Sequence, residues 1–129
     1  MPWPEVFLVL LVSHLVGDFL IQTDHQALHK RHGIAAGAPM RALLAHVVTY
    51  TLAFLPALVW LFDDLGAAVL LVAAYLFVTH AMIDDARLLE GYMRVAKGRG
   101  SLEQSGVVFM VDQSFHVLTL FALALLIAA

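Results

Sequence analysis

Seven ionisable side chains stand inside apolar segments of this chain: His14, Asp18, His46, His80, Asp84, Asp112 and His116. Within hydrocarbon each costs roughly 2.5–3.5 kcal/mol, so such groups face a bundle interior and act there. Three His/Asp pairs (His14 with Asp18, His80 with Asp84, Asp112 with His116) are spaced i,i+4. On a helix that spacing puts both side chains on one face, a turn apart. Imidazole and carboxylate are the ligands of zinc, iron, manganese and nickel sites. These four histidines and three aspartates suffice for one divalent ion with orienting carboxylates around it, or for two ions sharing a bridging carboxylate. Water on such an ion has its pKa lowered toward neutrality and supplies a nucleophile. Zinc, iron or manganese is the expected cofactor. Asp18, Asp84 and Asp112 are the candidates for ligand, bridge or general base. Gln22 and Tyr50, each one turn from a cluster member on the same face, are placed to orient a substrate.

The same residues admit plainer uses. Buried histidines and aspartates can pair across helices and hold a bundle together without metal; Arg87, three residues after Asp84, could neutralise it, and Arg41 could reach Asp18. Haem ligation by two facing histidines, such as His46 and His116, leaves three aspartates without a role. His25, His29 and His32 fall near Lys30 and Arg31 and read as a solvated basic helix at the headgroups rather than a metal carrier. Ser13, Thr79 and Ser114 point about 100° or more away from the neighbouring ligands, so none is nominated as a nucleophile.

The elements that carry these positions follow from composition. Of 129 residues, 62% are hydrophobic and 13% charged, whereas a soluble domain is about half apolar and about a quarter charged. Too little polar surface exists to coat a soluble globule. The length allows one domain, and an all-α bundle of four transmembrane helices would use about 80 residues. The expected spans are about 4–21, 40–62, 66–83 and 107–129, with connections at about 22–39 and 85–106. Pro56 is expected to kink the second span. Asp63-Asp64-Leu65-Gly66 reads as a tight turn. Thr23 with Gln26, and Ser101 with Gln104, are capping-box patterns; Asp24–His32 is an expected short interfacial helix closed by Gly33. Trp3 and Tyr92 are expected interfacial anchors. The first apolar stretch lacks a basic leader, and the Ala36-Gly37-Ala38 string lies well beyond it, so it is expected to be a retained helix.

Charge sets orientation and excludes some partners. All seven basic residues (Lys30, Arg31, Arg41, Arg87, Arg94, Lys97, Arg99) sit in or beside the two long connections. By the positive-inside rule those connections are cytoplasmic and both termini lie outside. At about 1.5 Å per residue, the polar groups of all four helices fall in one layer, roughly 6–14 Å inside the cytoplasmic ends, with Asp84 at the mouth. A net charge of −3 with no basic face argues against nucleic acid. Cysteine is absent, which excludes disulfides, thiolate sites and cysteine nucleophiles.

The two halves echo each other. His14-x3-Asp18 followed by His46 matches His80-x3-Asp84 followed by His116, with 27 and 31 intervening residues; Asp112 corresponds to Ala42. Duplicated helical hairpins about a two-fold axis along the membrane normal would explain this. The ordered set His14-Leu-Val-Gly-Asp-Phe-Leu-Ile-Gln22, His46, Thr79-His80-Ala-Met-Ile-Asp84 and Asp112-Gln113-Ser-Phe-His116 resembles the bacterial and phage membrane proteins classed as domain of unknown function 3307. The family pattern usually has Ser at Thr79 and Leu-Leu at Ser114-Phe115; both departures leave the His and Asp positions intact. The resemblance covers essentially the whole chain. It implies a small four-helix protein of the bacterial inner (cytoplasmic) membrane and brings no established activity, so function rests on the site.

These observations lead to an integral membrane protein with an intramembrane metal site near the cytoplasmic face, read as a metal-dependent hydrolase of lipid-borne substrate. The rival classes are a divalent-cation or proton transporter or channel subunit, and a metal-free structural or regulatory subunit. Membrane lipid is the expected partner, with a homo-oligomer as a further expectation.

Overall fold

The computed structural model describes residues 1–35 and 37–129. Ala36, and with it the Ala36-Gly37-Ala38 string, lies outside the described residues. Every regular element among them is helical, as an apolar chain requires when its backbone donors and acceptors must be satisfied without water. Helix α1 spans Trp3–Leu15 and continues through a π-helical turn, Val16–Ile21. Short α2 (Asp24–His29) follows, then α3 (Ala38–Ala53), α4 (Leu55–Leu65), α5 (Val69–Asp84), short α6 (Arg87–Tyr92) and α7 (Ser105–Ala128). Helix α1 packs along α7, and α3 packs along α5.

Three helical runs are long and apolar enough to cross a membrane, not the four expected: Trp3–Ile21, Leu55–Asp84 and Ser105–Ala128. The second expected span, about 40–62, is interrupted. Pro56 has no N–H to give to the carbonyl of Leu52 and its ring crowds that turn. The Phe54 N–H instead bonds back three residues to Thr51 at 3.1 Å, and Phe54 has ψ −1°. A new helix starts there, with the Leu58 N–H on the Phe54 carbonyl at 2.8 Å. The run Leu55–Asp84 is itself folded at Gly66, where φ is 54°, a conformation glycine adopts without penalty. Asp63 and Asp64, expected in a tight turn, complete the last turn of α4; the reversal comes at Gly66 and the three-ten turn Gly66–Ala68.

The caps divide similarly. Thr23 and Gln26 form the expected capping box, with the Gln26 N–H on Thr23 Oγ1 at 3.3 Å and the Thr23 N–H on Gln26 Oε1 at 3.0 Å. Helix α2 ends at His29 rather than His32. The left-handed residue after it is His32, φ 58°, and not Gly33, which is wanted for closeness: a Cβ there would stand 2.7 Å from Leu43 Cβ. Ser101 and Gln104 make no capping box, because Ser101 lies in the three-ten turn Arg99–Glu103 and donates to the Gly98 carbonyl at 2.7 Å.

The end of the bundle away from the long connections has an apolar core that includes Val6, Leu10, Phe54, Leu61, Leu76 and Leu120. Outward positions are apolar too: Leu20 is 78% and Leu71 74% exposed, a surface that suits lipid contact. At the opposite end the two long connections clasp each other through Asp85. Its carbonyl accepts the His32 N–H at 2.9 Å and its carboxylate accepts the Ile34 N–H at 2.8 Å. Beside this clasp, Lys30 at the end of α2 reaches Asp84 at the end of α5.

Candidate metal centre

Local structure aims the polar side chains. His14 lies in the last turn of α1, and Asp18 in the π-helical turn that follows; such turns add a residue to the helical repeat and re-aim what they carry. Gly17 lets this turn lie against α3, since a Cβ there would meet Tyr50 Cδ2 at 2.7 Å. His46 comes from α3, His80 and Asp84 from the end of α5, and Asp112 and His116 from the first half of α7. His14, Asp18, His46, His80, Asp84 and His116 are all buried, none more than 7% exposed.

Four ligand atoms converge: His46 Nε2, His80 Nε2, Asp18 Oδ1 and Asp84 Oδ2. The two imidazole nitrogens are 2.9 Å apart. Each lies 3.3 Å from Asp18 Oδ1, and they stand 3.0 and 3.1 Å from Asp84 Oδ2. Ligands about 2.0–2.1 Å from a tetrahedral zinc are about 3.3–3.4 Å from one another. These five separations run at or slightly below that edge length, and the donor atoms group as two overlapping sets, His14/Asp18/His80 and His46/His80/Asp84, which share His80.

Hydrogen bonding alone serves this group poorly. Two Nε2 atoms in contact can share one proton, and two carboxylate oxygens add no donor. Asp18 Oδ1 and Asp84 Oδ1 are buried with no hydrogen-bond partner. His116 adds a further lone pair. Its Nδ1–H donates to the Asp112 carbonyl at 3.0 Å, so that in the neutral ring Nε2 carries a lone pair, 3.6 Å from Asp84 Oδ1. A cation bound by Asp18 or by Asp84 would supply the partner that these buried carboxylates lack. The Nδ1 atoms of His46 and His80 also lack partners, whereas a ligating histidine usually donates that proton. His80 is held by packing instead, stacked on the Tyr50 ring at 3.4 Å and 12°.

His14 flanks the quartet. Its ligating atom lies within 4.8 Å of those of Asp18 and His80, and both ring nitrogens have partners, Tyr50 Oη and Gln113 Oε1, each at 3.1 Å. Because Gln113 Oε1 can only accept, the Tyr50 hydroxyl donates to His14 Nδ1. Gln113 Nε2 then donates to Asp112 Oδ2 at 3.1 Å. Asp112 is half-buried and outside the quartet, its Oδ2 3.7 Å from His116 Nδ1.

The cation beside Asp84 is Lys30, at 2.8 Å, and not Arg87, whose Nε lies 3.6 Å from Asp85 Oδ2. Arg41 is exposed and does not pair with Asp18. With its amide oriented to satisfy both neighbours, Gln22 donates to the Asp18 carbonyl at 3.1 Å and accepts from Lys30 Nζ at 2.8 Å. Lys30 carries no pattern that singles it out and reaches the cluster from the end of α2; Gln113 lies on α7 between Asp112 and His116. Asp18, Asp84 and Asp112, with Lys30, Arg31 and Gln22, line an open cleft of about 460 Å³. His25 and His29 stack on each other at 4.4 Å on exposed α2, and His32 pairs with Glu90 at 3.0 Å; all three stand apart from the quartet. Ser13, Thr79 and Ser114 bond carbonyls of their own helices.

The model of the family described as "Protein of unknown function (DUF3307)" matches residues 6–129. The chain belongs to that family. No curated protein and no solved structure matches it. The match spans nearly the whole chain, so every residue of the polar cluster falls within the DUF3307 region, and the family's description assigns none of them a task.

Proposed function

We propose that this DUF3307 chain is a membrane-embedded, metal-dependent hydrolase acting on a lipid-borne substrate. The observation that supports it is the quartet of His46, His80, Asp18 and Asp84, with five pairwise separations of 2.9–3.3 Å. Those four residues would hold zinc, iron or manganese, and His116 Nε2 with Asp84 Oδ1 would extend the donor set. Such an ion would supply an activated water. Asp112, on the cleft wall beside the quartet, is placed to take a proton, while Tyr50, Gln113 and Gln22 position His14, His80 and the turn that carries Asp18.

In this reading α3 and α4 together make one interrupted crossing, completing four, because interrupted backbone is tolerated where neighbouring helices bury it. The two long connections, with all seven basic residues, face the cytoplasm and both termini lie outside the bacterial inner membrane. Two hairpins related by a two-fold axis fit the helix pairing: His14 of α1 stacks near His116 of α7 at 5.2 Å, and His80 of α5 lies near His46 of α3 at 5.0 Å. Lipid is the partner, and a homo-oligomer remains compatible with the apolar outer faces. The transporter reading has less support, because the other half of the bundle is packed with apolar side chains.

Elemental analysis of protein purified in mild detergent, without chelator or affinity metal, tests this. One or two divalent ions per chain are expected, lost in a folded His80→Ala, Asp84→Ala variant. Folded protein that holds no metal and cannot be reloaded would overturn the hydrolase reading in favour of a hydrogen-bonded structural layer.

A further inference from the structure

The lining of the cleft beside the quartet has a basic part, Lys30 and Arg31 with Gln22, and an apolar part, Phe19, Val108 and Phe109. Phe19 and Phe109 meet edge to face at 6.1 Å, and each is 49% exposed. They sit on α7 and the π-helical turn, both within runs apolar enough to cross a membrane, so this part opens toward acyl chains.

The basic part has donors to spare. An ammonium has three N–H groups, and Lys30 uses two of them, on Asp84 Oδ2 and Gln22 Oε1. Arg31 is exposed and makes no ion pair among the described residues. The guanidinium's planar fork suits two oxygens of one phosphate. Of the acidic residues lining the cleft, Asp18 and Asp84 are neutralised when a divalent ion occupies the quartet; Asp112 and Glu103 remain.

We infer that the substrate is a membrane amphiphile with a phosphate headgroup, its phosphate oxygens received by Lys30 and Arg31 and its chain lying on Phe19 and Phe109. This rests on the hydrolase reading and names its substrate class. Hydrolysis of a phosphomonoester there forms an oxygen–phosphorus bond from water and breaks the phosphorus–oxygen bond to the lipid. One water proton passes to the departing oxygen and the other stays on the phosphate.

The test is ligand retention by the metal-loaded protein in detergent, read by native mass spectrometry. The probes are a long-chain alkylphosphonate, an alkyltrimethylammonium and an alkyl glucoside of equal chain length, and inorganic phosphate. Preferential retention of the phosphonate is expected, weakened about tenfold by Arg31→Gln and only partly restored by Arg31→Lys, which keeps the charge without the fork, with metal content unchanged in both. Release of inorganic phosphate from a long-chain phosphomonoester, faster than from a water-soluble one, would accompany it. Equal or better retention of the cationic or neutral amphiphile would overturn the assignment while the metal reading stands. Equal retention of phosphate and phosphonate would overturn the membrane source. Metal-free protein would remove both readings, and elemental analysis alone reveals that case.

Discussion

Tyr50 ties the buried set together at the scale of single residues. Its ring stacks on His80 and its hydroxyl reaches His14 Nδ1 at 3.1 Å. Tyr50→Phe keeps the stacking and strands a buried imidazole nitrogen, which costs about 1–3 kcal/mol. We expect lower stability in denaturant titration of the detergent-solubilised protein, with metal content retained. Loss of metal in a fully folded Tyr50→Phe protein would show that the hydroxyl, and not the ring, sets the quartet. At this scale most of the polar set was visible in the sequence, because an ionisable group in an apolar segment stands out. Lys30 was not: in sequence it is one of several cations in a polar connection, and only its 2.8 Å approach to Asp84 distinguishes it.

Helix α1 must approach α3 closely to bring Asp18 to His46, and Gly17 is the residue that permits it. Gly17→Ala places a methyl 2.7 Å from Tyr50 Cδ2. Such overpacking costs about 1–3 kcal/mol and, by displacing Tyr50, should also lower metal occupancy. Gly91 in α6 is the control, since nothing lies within 4 Å of a Cβ built there; Gly91→Ala should be neutral or gain roughly 0.5–1 kcal/mol of helix stability. Similar melting of the two variants would sink the close-approach argument. Element boundaries were read with mixed success. The Thr23/Gln26 box formed because an α-helix starts at Asp24 and leaves its first N–H groups free for it. The Ser101/Gln104 pattern failed because the segment takes a three-ten turn, and Asp63-Asp64 stayed helical because Gly66 alone relieves the strain of reversal.

Across the whole molecule, charge and apolar surface are segregated. The basic connections and the quartet share one end, while Leu10, Phe54, Leu61, Leu76 and Leu120 fill the other. The absence of cysteine makes topology directly measurable. In cells, a cysteine placed at Gly98 should react with impermeant thiol reagents only after the inner membrane is opened, and one at Asp64 should react from outside. Reactivity of both from the same side would mean that α5, the helix between them, does not cross the membrane.

The sequence by itself determined the helical class and most of the residues that must be buried together. Those depend on local periodicity and on the cost of charge in hydrocarbon, both properties of a residue and its near neighbours. Tertiary structure decided the rest. It broke the second run at Phe54, because the consequence of Pro56 depends on what packs around the freed carbonyl. It selected His46, His80, Asp18 and Asp84 as the close quartet, drew Lys30 to Asp84 and gave His14 to Tyr50 and Gln113. Such choices rest on ångström-scale separations between elements distant in the chain, and helical spacing fixes the face of a side chain without fixing its partner across the bundle.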